Sequence, residues 1–427
     1  MKTFNSFTAL FAVLLLFTVS SLHAQIGRRF PSEMFTYNDS ITGLPVKVLT
    51  NSPEFSDTRI YQTHPQWSYD NKYIAFRSQR SGNGQLFFVH ETTGEIIQIT
   101  DGEGRSGEYN LSRKKGLLYF TRKLKDQPAQ VIELDTDRVL ADSEKGTMKH
   151  HTAYERVVSV WPDSLSISGG MGLDVEEDLL YVGVTPPYNV ETWQNPIDDT
   201  NHRIKNHPGG IRILDVKTGE IRKAFDVDFT MGHVQASPFV TREIVFCHET
   251  GGDSPQRMWF GDMAANSYRP LYIESDYEWV THETIVDANH VYFNVLCHLD
   301  RLKTKPSGIF SVNLRNGHVR VIGQVFTGNV NDDLKSIPAQ TNSFWHCNGS
   351  QDGQWAAGDD FKGNVTLVNV KTGEMHLLTT GHVMKPNHAH PYFSLDNKKV
   401  LIQSGKLSEG KRLAVMIIDI PESFYKE

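Results

Sequence analysis

The chain is poor in cysteine. Three residues in 427, Cys247, Cys297 and Cys347, cannot build a disulfide framework, and an odd count leaves at least one thiol free. Their regular spacing marks equivalent positions beside strands, where cysteine serves as a small buried hydrophobe. Basic charge is not in excess either. With 43 Lys+Arg against 50 Asp+Glu the formal net charge is −7, so nothing is left over to neutralise a phosphate backbone, and nucleic acid is not an expected partner. After residue 24 no apolar run approaches the roughly 18 residues that a membrane helix needs. Long helical periodicity is also missing. Core material is present: 39% hydrophobic and 11% aromatic residues against 22% charged exclude a disordered or collagen-like chain.

The first 24 residues read as a targeting segment. Lys2 supplies a positive start, Phe7 to Val19 an apolar run, and Ser20-Ser21-Leu22-His23-Ala24 a cleavage site, which leaves Gln25 as the new N-terminus. Gln25 is not cysteine, so no lipid anchor is indicated at that site. The expectation is a signal peptide over 1–24 and a single domain over 25–427. The protein would be periplasmic or secreted, with no membrane insertion after cleavage.

Internal repetition is the dominant signal. One unit recurs: a β-rich run, a polar loop, a second run, a Thr-Gly or Asn-Gly turn, and a last run. Ile74-Ala75-Phe76, Leu86-Phe87-Phe88-Val89, Thr93-Gly94 and Ile96-Ile97-Gln98-Ile99 form one copy. Further copies centre on Thr218-Gly219, Asn316-Gly317 and Thr372-Gly373, and weaker ones begin near Leu117, Ile244 and Val400, which makes seven. Period-two alternation with tight glycine turns indicates antiparallel strands. A unit of about 40 residues cannot bury both faces of its sheet, whereas radial stacking does, so the sequence predicts an all-β, seven-bladed propeller. The stretch 109–171 is too long for one unit and reads as an insertion or long loop, and 185–208 carries a second insertion. The last unit ends at Leu413–Ile418 without a fourth strand. Val46–Leu49, near the mature N-terminus, can supply it and close the ring by removing two free edges.

Histidines gather where units begin, at the strands nearest the central channel. The relevant runs are Gly232-His233, Phe246-Cys247-His248-Glu249, Thr281-His282-Glu283, Trp345-His346-Cys347 and His388-Ala389-His390-Pro391, with His64-Pro65 as a further case. On an extended strand His388 and His390 point to one face, so both can reach one cation, and an imidazole from another unit, such as His282, can join them. Imidazole suits Mn, Fe, Zn, Ni or Cu.

These motifs in this order resemble the oligogalacturonate lyases over nearly the whole mature chain. The resemblance starts at Phe35-Thr36-Tyr37-Asn38-Asp39 and Thr42-Gly43. It passes through the Gly232-His233, Phe246-Cys247-His248-Glu249, Arg257-Met258-Trp259 and Thr281-His282-Glu283 runs, and it ends at His388-Ala389-His390-Pro391 with Phe393. It implies a seven-bladed propeller enzyme, and a divalent metal held by His282, His388 and His390. That metal is manganese in the family, with zinc or calcium as other candidates here. One position departs: the family carries a glutamine ligand three residues before the first histidine of His-x-His, and this chain has Lys385 there. Asn387 or water could fill that role, or Lys385 could contact a substrate carboxylate.

The reaction so implied is β-elimination on a uronate within an acidic oligosaccharide. The C5 proton leaves, the C4–O4 bond breaks, and a 4,5-unsaturated sugar remains. A cation on the carboxylate stabilises the developing charge, and a base with a pKa near the working pH suffices. His248 or His233 is the expected base, and Arg257, Lys385 and His346 are expected at the substrate. Two other readings use the same architecture: a lyase for another uronate polymer such as ulvan, or a non-catalytic periplasmic binding propeller. Fold alone does not choose among them. Oligomeric state, the preferred chain length and endo or exo action have no signature in the sequence.

Overall fold

The computed structural model describes residues 26–194, 206–276, 278–297, 299–302, 307–325 and 343–425. The targeting segment and the middle of the 185–208 insertion lie outside the described residues. The described chain forms seven antiparallel sheets, five of four strands and two of five. The first, innermost strands of the seven blades are Thr58–Arg59, Arg105–Leu111, Ser166–Leu173, Met231–Ala236, Val280–Ile285, Phe344–Gly349 and Tyr392–Phe393.

The outermost turn shows why the repeat folds as it does. In blade three Asp215 Oδ1 accepts the backbone N–H groups of Lys217 and Thr218 at 2.9 and 2.8 Å, and Gly219 then takes φ 76. Asn369 and Gly373 repeat the device in blade six. The carboxylate or amide satisfies the turn's N–H groups, and glycine enters the left-handed region without the Cβ clash.

Seven apolar clusters join the blades, one for each neighbouring pair. Leu86, Phe88, Leu118 and Phe120 join blades one and two, Tyr119 and Val182 join two and three, and Tyr181 and Phe246 join three and four. Val245 and Phe293 join four and five, Tyr292 and Phe344 join five and six, and Trp355 and Ile402 join six and seven. Ring closure is carried by Leu401, Val415 and Ile417 packing on Phe76, Phe87 and Val89. At about 25 cal/mol per Å², each buried side chain of this size contributes roughly 1.5–3 kcal/mol before entropy is set against it.

The expected closing strand is present. Pro45–Val48 pairs antiparallel with Ala414–Asp419, with Val46 opposite Ile418 and Val48 opposite Met416. Two features were not legible in advance. Phe35–Asn38 adds a fifth strand outside that one, and Arg29–Phe30 does the same for blade one. The long stretch in blade two contains a helix, Thr136–Lys145, between its third and fourth strands. Asp135 caps the helix by accepting from Arg138 N, and Gly146 ends it at φ 66. At ten residues it is too short to have shown as long helical periodicity.

Candidate active site

The inner strands share one irregularity. In blade four Gly232 pairs with Cys247 and Gln235 with Val245, so one extra residue is accommodated, and His233 takes φ 52. Blade five repeats this between Thr281 and Thr284, with His282 at φ 55. Blade six shifts register between Phe344 and His346, and in blade seven His390 takes φ 50 just before its inner strand. A non-glycine residue in this region costs about 1–3 kcal/mol. A bulge also re-aims a side chain. Three histidines held this way beside one channel mark a functional centre.

Two groups of side chains result. The first surrounds His233. Its Nδ1 lies 3.1 Å from Glu283 Oε1 and its Nε2 lies 3.6 Å from Glu249 Oε2. The Arg257 guanidinium lies between the same carboxylates, with Nη2 3.5 Å from Glu249 and Nε 3.5 Å from Glu283. Glu283 and Arg257 are buried. Burial works to raise both carboxyl pKa values, but Arg257 and His233 outweigh it, so Glu283 is lowered and Glu249 is held at about 2. Burial works to lower the Arg257 pKa, and the surrounding acidic groups reverse it, so the guanidinium stays charged. The Cys247 thiol, 3.8 Å from Glu249, is pushed up by burial and stays protonated. The Tyr61 ring lies 5.0 Å from His233 and 5.5 Å from His390, and burial raises its hydroxyl pKa well above the ordinary value.

The second group is imidazole. The His346 ring lies 4.1 Å from that of His282, 3.7 Å from His390 and 5.2 Å from His388. Asp359, fully buried on the second strand of blade six, accepts the backbone N–H of His346 at 2.7 Å and that of His390 at 3.0 Å. It also lies 3.2 Å from His346 Nδ1, which leaves Nε2 as that ring's lone pair. His282 Nδ1 is bonded to the Trp345 carbonyl, with the same consequence. Burial lowers the pKa values of His282 and His390 well below the ordinary value and brings His388 to about 4, so these rings are neutral. Asn387 Oδ1 lies 3.1 Å from His390 Nε2. Arg59, wholly buried, donates to the His390 carbonyl and fixes the loop from behind.

The histidines named from sequence therefore divide. His233, His282, His346, His388 and His390 converge on the channel. His248 does not join them: strand alternation turns it away from Cys247 and Glu249, and it is fully buried with its ring 4.8 Å from Phe229. Arg257 is 3% exposed and already ion-paired on two sides. Lys385 is exposed on the loop before His388, and Asn387 is the residue of that loop that meets an imidazole. His64 is tied to the Met171 carbonyl of blade three at 2.7 Å. Asp359 and Arg59 had no motif of their own, and Glu283 stood in the Thr281-His282-Glu283 run without a role assigned to it.

The donor set fits a divalent cation. Neutral imidazoles offer lone pairs, Asp359 supplies charge and orientation, and His388 Nδ1 is buried without a hydrogen-bond partner among the described residues. Ligand atoms of His346, Asp359 and His388 all lie within 4.8 Å of one another, and so do those of His233, Cys247 and Glu283. The first set is the better cation site, because the second already holds the charge of Arg257.

No protein-family model matches the chain. Two curated proteins match along nearly their whole length. Oligogalacturonide lyase of Pectobacterium atrosepticum is 23% identical over 428 residues, covering 93% of this chain and 99% of the relative. Oligogalacturonate lyase of Dickeya dadantii is 22% identical over 421 residues, covering 94% and 99%. Among solved structures, an oligogalacturonate lyase in complex with manganese superposes with a TM-score of 0.74 at 21% identity, over 94% of this chain and all of that one. The oligogalacturonate lyase of Vibrio parahaemolyticus gives 0.71 at 18% identity, over 93% of this chain and all of its own. Sequence similarity over 93–94% of the chain and a shared propeller architecture make this chain a homologue of the oligogalacturonate lyases.

Proposed function

We propose that the protein cleaves uronate-containing oligosaccharides of the oligogalacturonate type by β-elimination, with a divalent cation held by its channel imidazoles. The observation that carries this reading is the pairing of the two groups: a carboxylate-oriented imidazole, His233, stands beside a cluster of neutral imidazoles at one channel mouth. Its relatives' names supply the substrate class.

His282, His388 and His390 would hold the cation, with His346 as a fourth donor. Asp359 positions His346 much as a carboxylate behind a metal-bound histidine does. Asn387 Oδ1 takes the place at which the family has glutamine. When bound, the cation neutralises the substrate carboxylate and stabilises the charge that builds on it. His233 is the base. Glu283 holds Nδ1–H, so Nε2 keeps the lone pair that takes the proton from C5. The C5–H electrons form the C4–C5 double bond, the C4–O4 pair leaves with oxygen, and that oxygen takes up a proton. Tyr61, kept protonated by burial, stands beside His233 to give it. Arg257 is a positioning residue that keeps Glu249 and Glu283 ionised, rather than a direct grip on substrate.

The test is the ultraviolet absorbance of the unsaturated uronate product. Purified full-length protein is incubated with galacturonate, ulvan and glycosaminoglycan oligomers, with and without chelator. Chelator-sensitive product from galacturonate oligomers supports the reading. Product from another uronate alone moves the substrate class, and no product from any of them rejects lyase activity. The same reading makes the protein exported, periplasmic or secreted, since its substrate would be extracellular polysaccharide fragments.

A further inference from the structure

Blades four to seven supply the imidazoles and carboxylates of the site described above, and Tyr61 joins them from the end of the inner strand of blade one. Across the channel, blade two repeats the same bulge with a different residue. Gly107 pairs with Thr121 and Asn110 with Tyr119, and Glu108 takes φ 51 where blades four and five carry His233 and His282. Arg105 precedes Glu108 by three residues, as Thr230 precedes His233. Thr230 accepts the backbone N–H of Glu249, so Arg105 and the His233 group lie at the same end of the channel.

A cavity of about 410 Å³ opens beside Glu108, lined also by Arg77, Arg105, Lys123 and Asp163. The three cations are exposed, and none forms an ion pair or a side-chain hydrogen bond among the described residues. The neighbouring Arg122 is the contrast: it is gripped by Glu155 at 2.7 Å. Three cations against two carboxylates leave this cavity positive on a chain whose net charge is −7. Unpaired cations sharing a cavity at the mouth of a channel are arranged for an anionic ligand.

We propose that this cavity is a second carboxylate-binding subsite, in which Arg77, Arg105 and Lys123 take uronate residues of the oligosaccharide beyond the one at His233. The proposal rests on the lyase reading and deepens it. A chain crossing the channel mouth would have its scissile residue among the imidazoles and a distal carboxylate among these cations. Arginine suits the task because its planar fork meets a carboxylate at two points.

The experiment compares the wild type with the triple variant Arg77→Ala/Arg105→Ala/Lys123→Ala on galacturonate dimers, trimers and tetramers, and on oligomers of equal length methyl-esterified only at the residues distal to the cleaved one. Because all three side chains are exposed, the melting temperature should stay close to that of wild type. The expected result is a KM raised about 10- to 100-fold for the free-acid oligomers that reach the cavity, the loss set by charge-assisted bonds to carboxylate, with kcat and the dimer unchanged. Methyl-esterified oligomers should lose little. An equal loss on every length, or no loss on any, overturns the subsite while wild-type turnover of the dimer upholds the lyase reading. Absence of wild-type turnover on every oligomer overturns both.

Discussion

Blades four and five and blades two and three use one backbone device for different ends. Every blade from two to six has an irregular inner strand that turns residues toward the channel. In blades four and five the left-handed position is histidine, in blade two it is Glu108, and in blade three two glycines, Gly169 and Gly170, take it. In these blades the irregular strand supplies direction, and the side chain placed there decides whether a blade contributes chemistry. The lesson is that a propeller's symmetry lies in its backbone, whereas its active site is asymmetric by sequence.

The comparison breaks most visibly at His233. His233→Ala should lower turnover about 10²–10⁴-fold, the usual loss for a general base, with cation content and melting temperature retained. His248→Ala separates the two histidines: its buried ring should affect stability more than turnover. Near-normal rates in His233→Ala would place the base elsewhere, with Tyr61 the next residue to test.

Arg257 comes next. Removing a buried guanidinium leaves Glu249 and Glu283 facing each other, and Arg257→Ala should cost about 3–5 kcal/mol in denaturant unfolding. The same pair gives a pH signature. Glu249 is held at about 2 in the folded chain against an ordinary 4.5. A depressed carboxyl pKa contributes stability that is fully present above pH 4.5 and is lost as pH falls toward 2. Glu249→Gln should therefore flatten the acid limb of the stability profile, and an unchanged limb would remove the carboxylate from that role.

Asp359→Asn tests the imidazole group alone. Losing the charge behind His346 should weaken cation affinity about 10–100-fold, read by metal analysis after dialysis and by the melting shift on adding manganese. His346→Ala should do the same, and full retention of the ion in both variants would exclude His346 as a donor.

The smallest effect falls in blade three. A Cβ on Gly169 would stand 2.6 Å from the Met231 carbonyl at φ 82, so Gly169→Ala should cost about 1–3 kcal/mol. Glu108→Gly, at the equivalent position of blade two, removes the Cβ of a left-handed residue and should leave stability at or slightly above wild type. Equal losses at both would mean that the two bulges are not the same device.

Much of the architecture was legible because local rules govern it. Period-two alternation and the turns at Gly219, Gly317 and Gly373 follow from strand pleat and from the left-handed preference of glycine, both properties of a few adjacent residues. The unpaired last blade and the spare strand at Val46 followed from the cost of open sheet edges. The helix at Thr136–Lys145 and the outer strands at Arg29 and Phe35 escaped notice, since ten, two and four residues carry too little periodicity. For the site, the sequence by itself determined which side chains were available: imidazoles at the starts of blades, and His388 and His390 in alternation. It could not separate His233 from His248, because that choice depends on which face of a twisted strand meets the channel. Nor could it find Asp359 behind His346, or place Arg77, Arg105 and Lys123 around one cavity. Those juxtapositions join residues from different strands and blades, and only ring closure, driven by seven buried interfaces, brings them within reach of one ligand.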